Sequence, residues 1–194
     1  MRESQGFNLS SPRSFKCLTE MKLLNWVQFA WDLNKLPPLD LHMPEHYQIT
    51  LATADDEQGV RKVISSSLVL DPTWSPAMGE VMEIVTPSLE EAFKPESKSI
   101  VLALRHGTRV IGAAVLSTDP SADNHLLPGP CISMEYRNRG FGGRLLAHSL
   151  KELREGGLSY ASGIARENAP VSRFLYPKFN GRRVDPSWHP LLAA

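Results

Sequence analysis

The sequence has few cysteines, no long apolar run and no net charge, and each shortage excludes a class of protein. Its two cysteines, Cys17 and Cys131, are widely separated, which predicts neither a disulfide framework nor a zinc site and favours a reducing, cytoplasmic location. The apolar stretch from Leu23 to Leu36 is interrupted by polar residues, so we expect no membrane span. Because 21 Lys and Arg balance 21 Asp and Glu, we expect no nucleic-acid partner either.

The composition is that of a globular chain with a basic C-terminal part. Its 194 residues, 42% of them hydrophobic, suit one domain with an added terminal segment. Residues 136–194 carry 10 Lys and Arg against 4 Asp and Glu. These basic residues are scattered among apolar ones, which favours a small anionic ligand over a nucleic acid.

The first 46 residues are predicted to precede the main domain. Residues 1–16 are polar and are expected to form a tail. From Thr19 to Lys35 the apolar residues keep nearly helical spacing, and a Pro-Pro pair follows, so we predict an amphipathic helix. This helix would either serve docking or homodimer formation, or simply cover the domain. The predicted division is therefore 1–46 for the tail and accessory helix and 47–194 for the domain.

The rest of the chain alternates between strand and helix patterns in the order βααβββαβα. His106-Gly107-Thr108 joins two apolar runs and predicts a hairpin, and Gly156 is placed to end a helix. The predicted strands cover about 47–51, 99–104, 110–116, 130–134 and 158–164, and the predicted helices cover about 55–68, 76–93, 142–155 and 170–175.

The segment from Arg137 to Leu146 lies between a predicted strand and a predicted helix and is rich in glycine. Glycines allow a ligand to approach the backbone closely, and exposed amides at a helix N-terminus attract phosphate oxygens. The Gly-Lys-Ser/Thr of a Walker loop is absent. A dinucleotide fingerprint would need Gly or Ala where Leu145 stands. The pattern therefore predicts a different pyrophosphate-binding loop.

This loop resembles motif A of the GNAT superfamily of N-acetyltransferases, Arg/Gln-x-x-Gly-x-Gly/Ala, in the form Arg137-Asn138-Arg139-Gly140-Phe141-Gly142. Glu167-Asn168-Ala169-Pro170 and Arg173-Phe174-Leu175-Tyr176 resemble that family's motif B. The resemblance covers roughly residues 47–181. It implies an α/β fold with a mixed, mostly antiparallel sheet flanked by helices, here with an extra N-terminal helix. It also implies an enzyme that uses acetyl-CoA as co-substrate and no metal.

The resemblance further assigns roles to individual residues. The amides of residues 139–144 would hold the CoA pyrophosphate, the backbone of residues 132–134 and Asn168 would contact pantetheine, and Tyr176 would protonate the leaving thiolate. The predicted cofactor-binding residues are Ile132, Ser133, Met134, Arg137, Arg139, Gly140, Phe141, Gly142, Gly143, Arg144 and Asn168.

The acceptor side of the site is less defined by the sequence. An alkylammonium must lose a proton before it attacks, so a base is needed. His125 is the candidate base, with Glu83 and Glu135 as alternatives, and Trp74 and Glu83 are candidates for binding a cationic acceptor such as a polyamine, an aminoglycoside or a peptide terminus. The alternative function is a non-catalytic acyl-CoA sensor or partner-docking module.

Two features of the sequence depart from the family pattern. Asn180-Gly181 replaces the usual Gly-Phe after Tyr176, which puts the final strand pair in question. Pro128 and Pro130 interrupt the start of the central strand.

Overall fold

The computed structural model describes residues 26–69, 78–94 and 96–184. These residues form seven strands and four α-helices, supplemented by three 3-10 turns and one π-helical turn at Val171–Leu175. The strands are β1 (Trp26–Asp32), β2 (Tyr47–Leu51), β3 (Ser99–His106), β4 (Arg109–Ser117), β5 (Cys131–Ile132), β6 (Tyr160–Arg166) and β7 (Arg182–Val184). The helices are α1 (Glu57–Val69), α2 (Met78–Ala92), α3 (Phe141–Glu155) and the single turn α4 (Tyr176–Lys178).

The strands form two antiparallel groups that β-bridges at Leu126 connect. The order is β2-β3-β4-β5 in one group and β6-β1-β7 in the other. Leu126 bridges antiparallel to Leu116 of β4 and parallel to Gly163 of β6. The sheet is therefore mixed and mostly antiparallel, which confirms the predicted fold class.

Helices cover both faces of the sheet and give a three-layer architecture. On one face α1 and α2 bury Val63, Ile64, Val85 and other apolar residues against β3, β4 and Cys131. On the other face α3 buries Leu145, Leu146, Leu150 and Leu153 against the opposite side of the same strands. Side chains alternate between the two faces along β3. Those of Val101 and Ala103 face α1 and α2.

The helix predicted from Thr19 to Lys35 is wrong in its described part. Residues 26–32 form β1, which lies between β6 and β7 and pairs antiparallel with both, and a 3-10 turn follows at Leu33–Lys35. Five consecutive residues of β1, from Val27 to Trp31, are buried, because both faces of this central strand are covered. Residues 19–25 lie outside the described residues, and the division of the chain at residue 46 stays a prediction.

Most of the other elements lie where the sequence predicts them. The β3–β4 hairpin turns at Gly107, whose φ of 58° is in the left-handed region. The central strand is shorter than predicted, since β5 ends at Ile132 and a 3-10 turn occupies Met134–Tyr136. A three-residue β7 follows Asn180-Gly181, so a shortened final strand is present. None of the described helices has both the length and the apolar character needed to cross a membrane.

Candidate functional site

The two halves of the sheet separate beside β5 and leave a gap that forms the site. Leu126 connects them, and the His125 amide donates to the Ser162 carbonyl at 2.9 Å. After Leu126 the chain runs through Pro128-Gly129-Pro130, where the two prolines offer no backbone N–H. Beyond this point β5 pairs with β4, and the end of β6 pairs with β1, so β5 and β6 diverge.

An apolar pocket with a cavity volume of about 130 Å³ lies in this gap. Its walls come from α1, α2, the start of β1, the proline segment, β5, β6 and the π-helical turn. The lining residues are Trp26, Leu68, Val85, Leu126, Leu127, Pro128, Gly129, Pro130, Cys131, Ile164, Ala165, Arg166, Val171 and Tyr176.

Tyr176 lines this pocket and is almost completely buried. A β-carbon built on Gly129 would lie 3.0 Å from the Tyr176 hydroxyl, so the hydroxyl lies directly against the proline segment. Burial, with a smaller contribution from neighbouring Cys131, raises the pKa of Tyr176 above its ordinary value near 10. The phenol is therefore a neutral hydrogen-bond donor at pH 7.

The glycine-rich loop leads directly into the N-terminus of α3. Gly140 is the residue before the helix, with a φ of 81° that favours glycine, and Asn138 is also left-handed at 61°. The Arg144 amide donates to the Gly140 carbonyl at 3.2 Å. The amides of Phe141, Gly142 and Gly143 precede this bond in the first turn, so the helix itself offers them no acceptor. Together they form an anion-binding helix end.

The glycines at 142 and 143 are not required by the protein's own packing. A β-carbon at Gly142 would lie 3.9 Å from a methyl group of Leu175, and one at Gly143 would lie 3.7 Å from the same side chain. Both are ordinary contacts. The space that these two glycines leave open therefore allows a ligand to approach the backbone closely. Leu175 also connects this helix end to the adjacent Tyr176.

The three arginines of the motif have different roles. Arg137 points inward, where Nε donates to the Ile132 carbonyl at 3.1 Å and a terminal nitrogen donates to the Ser67 carbonyl at 3.0 Å. Arg144 Nε donates to the His42 carbonyl at 2.8 Å. Arg139 is exposed, with its guanidinium 5.4 Å from the centre of the Tyr136 ring. Of the three, Arg139 is the most exposed to solvent.

The backbone of residues 132–134 is partly engaged by the protein. The Ser133 amide donates to Ile111 of β4 at 2.9 Å, so the amide and carbonyl of Ile132 face away from β4. The Ile132 carbonyl accepts from Arg137 and also from Ser67 Oγ at 3.2 Å. The Met134 carbonyl accepts the Arg137 amide at 3.2 Å. A pantetheine group would therefore meet amides along this edge, such as that of Ile132.

The candidate bases lie away from the pocket. His125 is fully buried, and its Nδ1 accepts the Ser162 amide at 3.1 Å, so it holds the two sheet halves together. Glu135 is exposed and pairs with Arg109 at 2.5 Å, and a hydrogen bond from its own backbone amide lowers the pKa of its carboxyl. Glu83 is exposed on α2 and is absent from the pocket lining.

Other predicted residues are scattered. Phe141 buries its side chain in the core against Tyr47, with ring centroids 4.6 Å apart, so only its backbone can serve a ligand. Asn168 is exposed just after β6. Trp74 lies outside the described residues. Among the described residues we find no cluster of three His, Cys, Asp or Glu suited to a metal ion.

The sequence interpretation missed two pocket residues. Trp26 begins β1 and lines the pocket. Because its segment was predicted to be an accessory helix, Trp26 was not assigned to the site. Cys131 also lines the pocket, and its burial raises the pKa of its thiol from 9.0 to about 12. Its position in the central strand, one residue before the predicted pantetheine-binding residues 132–134, was the available signal.

Comparisons with known proteins agree with this geometry. The profile of the Acetyltransferase (GNAT) family matches residues 67–181, more than half of the chain. A search of curated proteins gives no match. A GCN5-related N-acetyltransferase from Sphaerobacter thermophilus is similar with a TM-score of 0.57 and 13% identity, covering 82% of this chain and 48% of that chain. A GCN5-related N-acetyltransferase from Kribbella flavida is similar with a TM-score of 0.52 and 15% identity, covering 81% of this chain and 53% of that chain.

An acetyltransferase of the GNAT family from Colwellia psychrerythraea gives a TM-score of 0.55 at 13% identity and covers 83% of this chain and 53% of that chain. This chain spans about half the length of these structures, and at such identities the likeness concerns the fold alone. The profile match, joined to the diverging strands and the glycine-rich helix end, settles the family. The chain belongs to the GNAT acetyltransferase family.

Proposed function

We propose that this chain is an acetyl-CoA-dependent N-acetyltransferase that moves the acetyl group directly to a primary amine of a small molecule or peptide. The observation that carries the proposal is the pocket between diverging β5 and β6, with the Tyr176 hydroxyl inside it and the α3 N-terminus beside it. This arrangement offers a binding place to each part of a CoA thioester and an open pocket to an acceptor.

The pyrophosphate would bind to the amides of the first turn of α3, in the space left by Gly142 and Gly143. Arg139 would add a screened attraction from the surface. Pantetheine would run along the open edge of β5 toward the gap, with Asn168 near its path. The thioester would then lie beside Tyr176. Arg137 supports the loop from within, and Arg144 donates to the His42 carbonyl on a neighbouring segment.

In the reaction, the nitrogen of the amine attacks the thioester carbonyl carbon, the C–N bond forms and the C–S bond breaks. The Tyr176 hydroxyl donates a hydrogen bond to the leaving sulfur. The sulfur finally gains the proton that the attacking nitrogen loses, so the products are an amide and the free thiol of CoA. Because the pKa of Tyr176 is raised, a relay of this kind is favoured over net donation by the phenol.

A second candidate function is a non-catalytic acyl-CoA sensor of the same fold. One observation favours it: the pocket lining formed by the described residues contains neither a carboxylate nor an imidazole that could act as base. The pocket and Tyr176 are compatible with both the transferase and the sensor. The cytoplasmic location and the homodimer expected from the sequence stay predictions.

A paired experiment separates the two functions. Thermal unfolding is followed with and without acetyl-CoA, and thiol release is measured with a panel of primary amines. A ligand at about 100 times its dissociation constant adds about 2.7 kcal/mol to the free energy of unfolding, which gives a clear shift. A shift with turnover supports the transferase, and a shift without turnover on any amine supports the sensor. No shift at millimolar acetyl-CoA contradicts both.

A further inference from the structure

The pocket beside the proposed thioester position is almost entirely apolar. Aliphatic and proline side chains form most of its wall, together with Trp26 and the buried ring of Tyr176. Among its lining residues the one charged side chain is Arg166, a cation. Its cavity volume of about 130 Å³ is close to the roughly 150 Å³ of an apolar cavity that binds benzene, so it has room for a ring-sized apolar group.

Part of the pocket wall lies on the face of the sheet that carries α1 and α2. Leu68 and Val85 come from those helices, and Cys131 and Ile164 belong to the apolar cluster on the same face. The glycine-rich end of α3 belongs to the helix that covers the opposite face. A CoA molecule held at α3 would thus reach the gap from one side, and an acceptor would enter from the α1–α2 side.

Such surroundings also help the amine to react. An apolar pocket disfavours an ammonium ion and so lowers the pKa of a bound amine. The absence of a base from the described lining is then less of an obstacle, because the amine binds in its neutral form. A second positive charge on the acceptor would be penalised by the same loss of solvation.

Building on the proposed transferase activity, we infer that the acceptor is a hydrophobic primary monoamine, whose apolar body fills the pocket lined by Trp26, Val85 and Ile164. This inference replaces the cationic acceptor expected from Trp74 and Glu83 with an apolar one. It assigns Trp26 and Ile164 to acceptor selection.

The first test compares 2-phenylethylamine with spermidine as acceptors for acetyl-CoA. We expect kcat/KM for 2-phenylethylamine to be at least about tenfold higher, since burial of an apolar group discriminates at that level. Equal or better transfer to spermidine overturns the inference and leaves the transferase standing. If hexanoyl-CoA is used better than acetyl-CoA with both amines alike, the pocket holds the acyl chain and the inference fails.

Two variants locate the effect. Ile164→Trp fills the pocket from β6, and we expect at least about a tenfold rise in KM for 2-phenylethylamine with CoA affinity unchanged. Ile100→Trp enlarges a residue of matching type and half-buried exposure on β3, outside the pocket, and should leave that KM unchanged. An unaltered KM in Ile164→Trp contradicts the proposed acceptor position.

A binding measurement does not depend on turnover. Calorimetric titration of 2-phenylethylamine into protein saturated with CoA should show binding that spermidine does not show. No binding of 2-phenylethylamine overturns the inference. Failure of CoA itself to bind is the separate result that overturns the proposed function.

Discussion

The indole ring of Trp31 meets the ring of Tyr176 edge to face, with centroids 4.8 Å apart and planes at 82°. Phe29 makes a similar contact with Tyr176 at 5.3 Å. Both residues belong to β1, which lies before the part of the chain that matches the family profile. The strand that precedes the matched region therefore fixes the orientation of the tyrosine whose hydroxyl enters the pocket.

Trp31→Phe is expected to lower kcat by several fold while the KM for acetyl-CoA stays nearly constant. The smaller ring leaves space beside Tyr176, so its hydroxyl loses its fixed position. Some loss of stability, about 1–3 kcal/mol, should accompany the change. Steady-state kinetics and urea unfolding measure the two effects. A fall in stability with an unchanged kcat would show that Trp31 only packs.

Tyr176→Phe keeps the ring and removes the hydroxyl, so CoA affinity should change little. Loss of a positioned donor should lower kcat by at least about tenfold, with the KM for acetyl-CoA nearly unchanged. Tyr160→Phe on β6, which also removes one hydroxyl but lies outside the pocket lining, serves as the control. If kcat is the same in both variants and the parent, when chemistry limits the rate, Tyr176 has no part in the mechanism.

Arg137→Gln and Arg139→Gln should separate loop support from ligand contact. Arg137 donates to two backbone carbonyls, so its loss should lower the free energy of unfolding by about 2 kcal/mol. Exposed Arg139 should change stability by less than about 0.5 kcal/mol and weaken CoA binding by about threefold to tenfold at low salt. Urea unfolding and calorimetry measure the pair. The reverse pattern would refute the assignment.

Stability should fall at alkaline pH through Cys131. Burial raises the pKa of its thiol from 9.0 to about 12, so above pH 9 the unfolded chain loses a proton that the folded protein keeps. The stabilisation is complete below pH 9 and is lost as pH rises toward 12. Between pH 9 and 10 the parent should lose about 1 kcal/mol more than Cys131→Ala in urea unfolding. Parallel pH profiles would contradict the buried thiol.

The glycine-rich motif, the hairpin and the helix periodicities could be predicted from sequence because each depends on neighbouring residues. The strand β1 could not be predicted in this way. Residues from Val27 to Trp31 are buried on both faces, so the alternation that marks a half-covered strand is missing, and the remaining spacing imitates a helix.

The roles of individual side chains depended on contacts with distant segments. Arg137 looks like a phosphate ligand in the motif, but Ser67 on α1 provides its acceptor. His125 looks like a base before a strand, but Ser162 on β6 engages its Nδ1. The pocket forms where two strands diverge, and a local sequence pattern does not predict that divergence.

The most direct test of the account is calorimetric titration of CoA into the parent, Gly142→Val and Gly79→Val. The motif accepts alanine at position 142, so a larger side chain is needed to fill the space proposed for the pyrophosphate. A β-carbon at 142 lies no closer than 3.9 Å to Leu175, and one at Gly79 in α2 meets nothing within 4 Å. Valine is no worse a helix former than glycine, so we expect neither change to unfold the protein. Gly142→Val should lower CoA affinity at least about tenfold, because its side chain blocks the approach of the pyrophosphate to the first-turn amides. Gly79→Val should bind like the parent. Equal affinities in all three proteins would contradict the account.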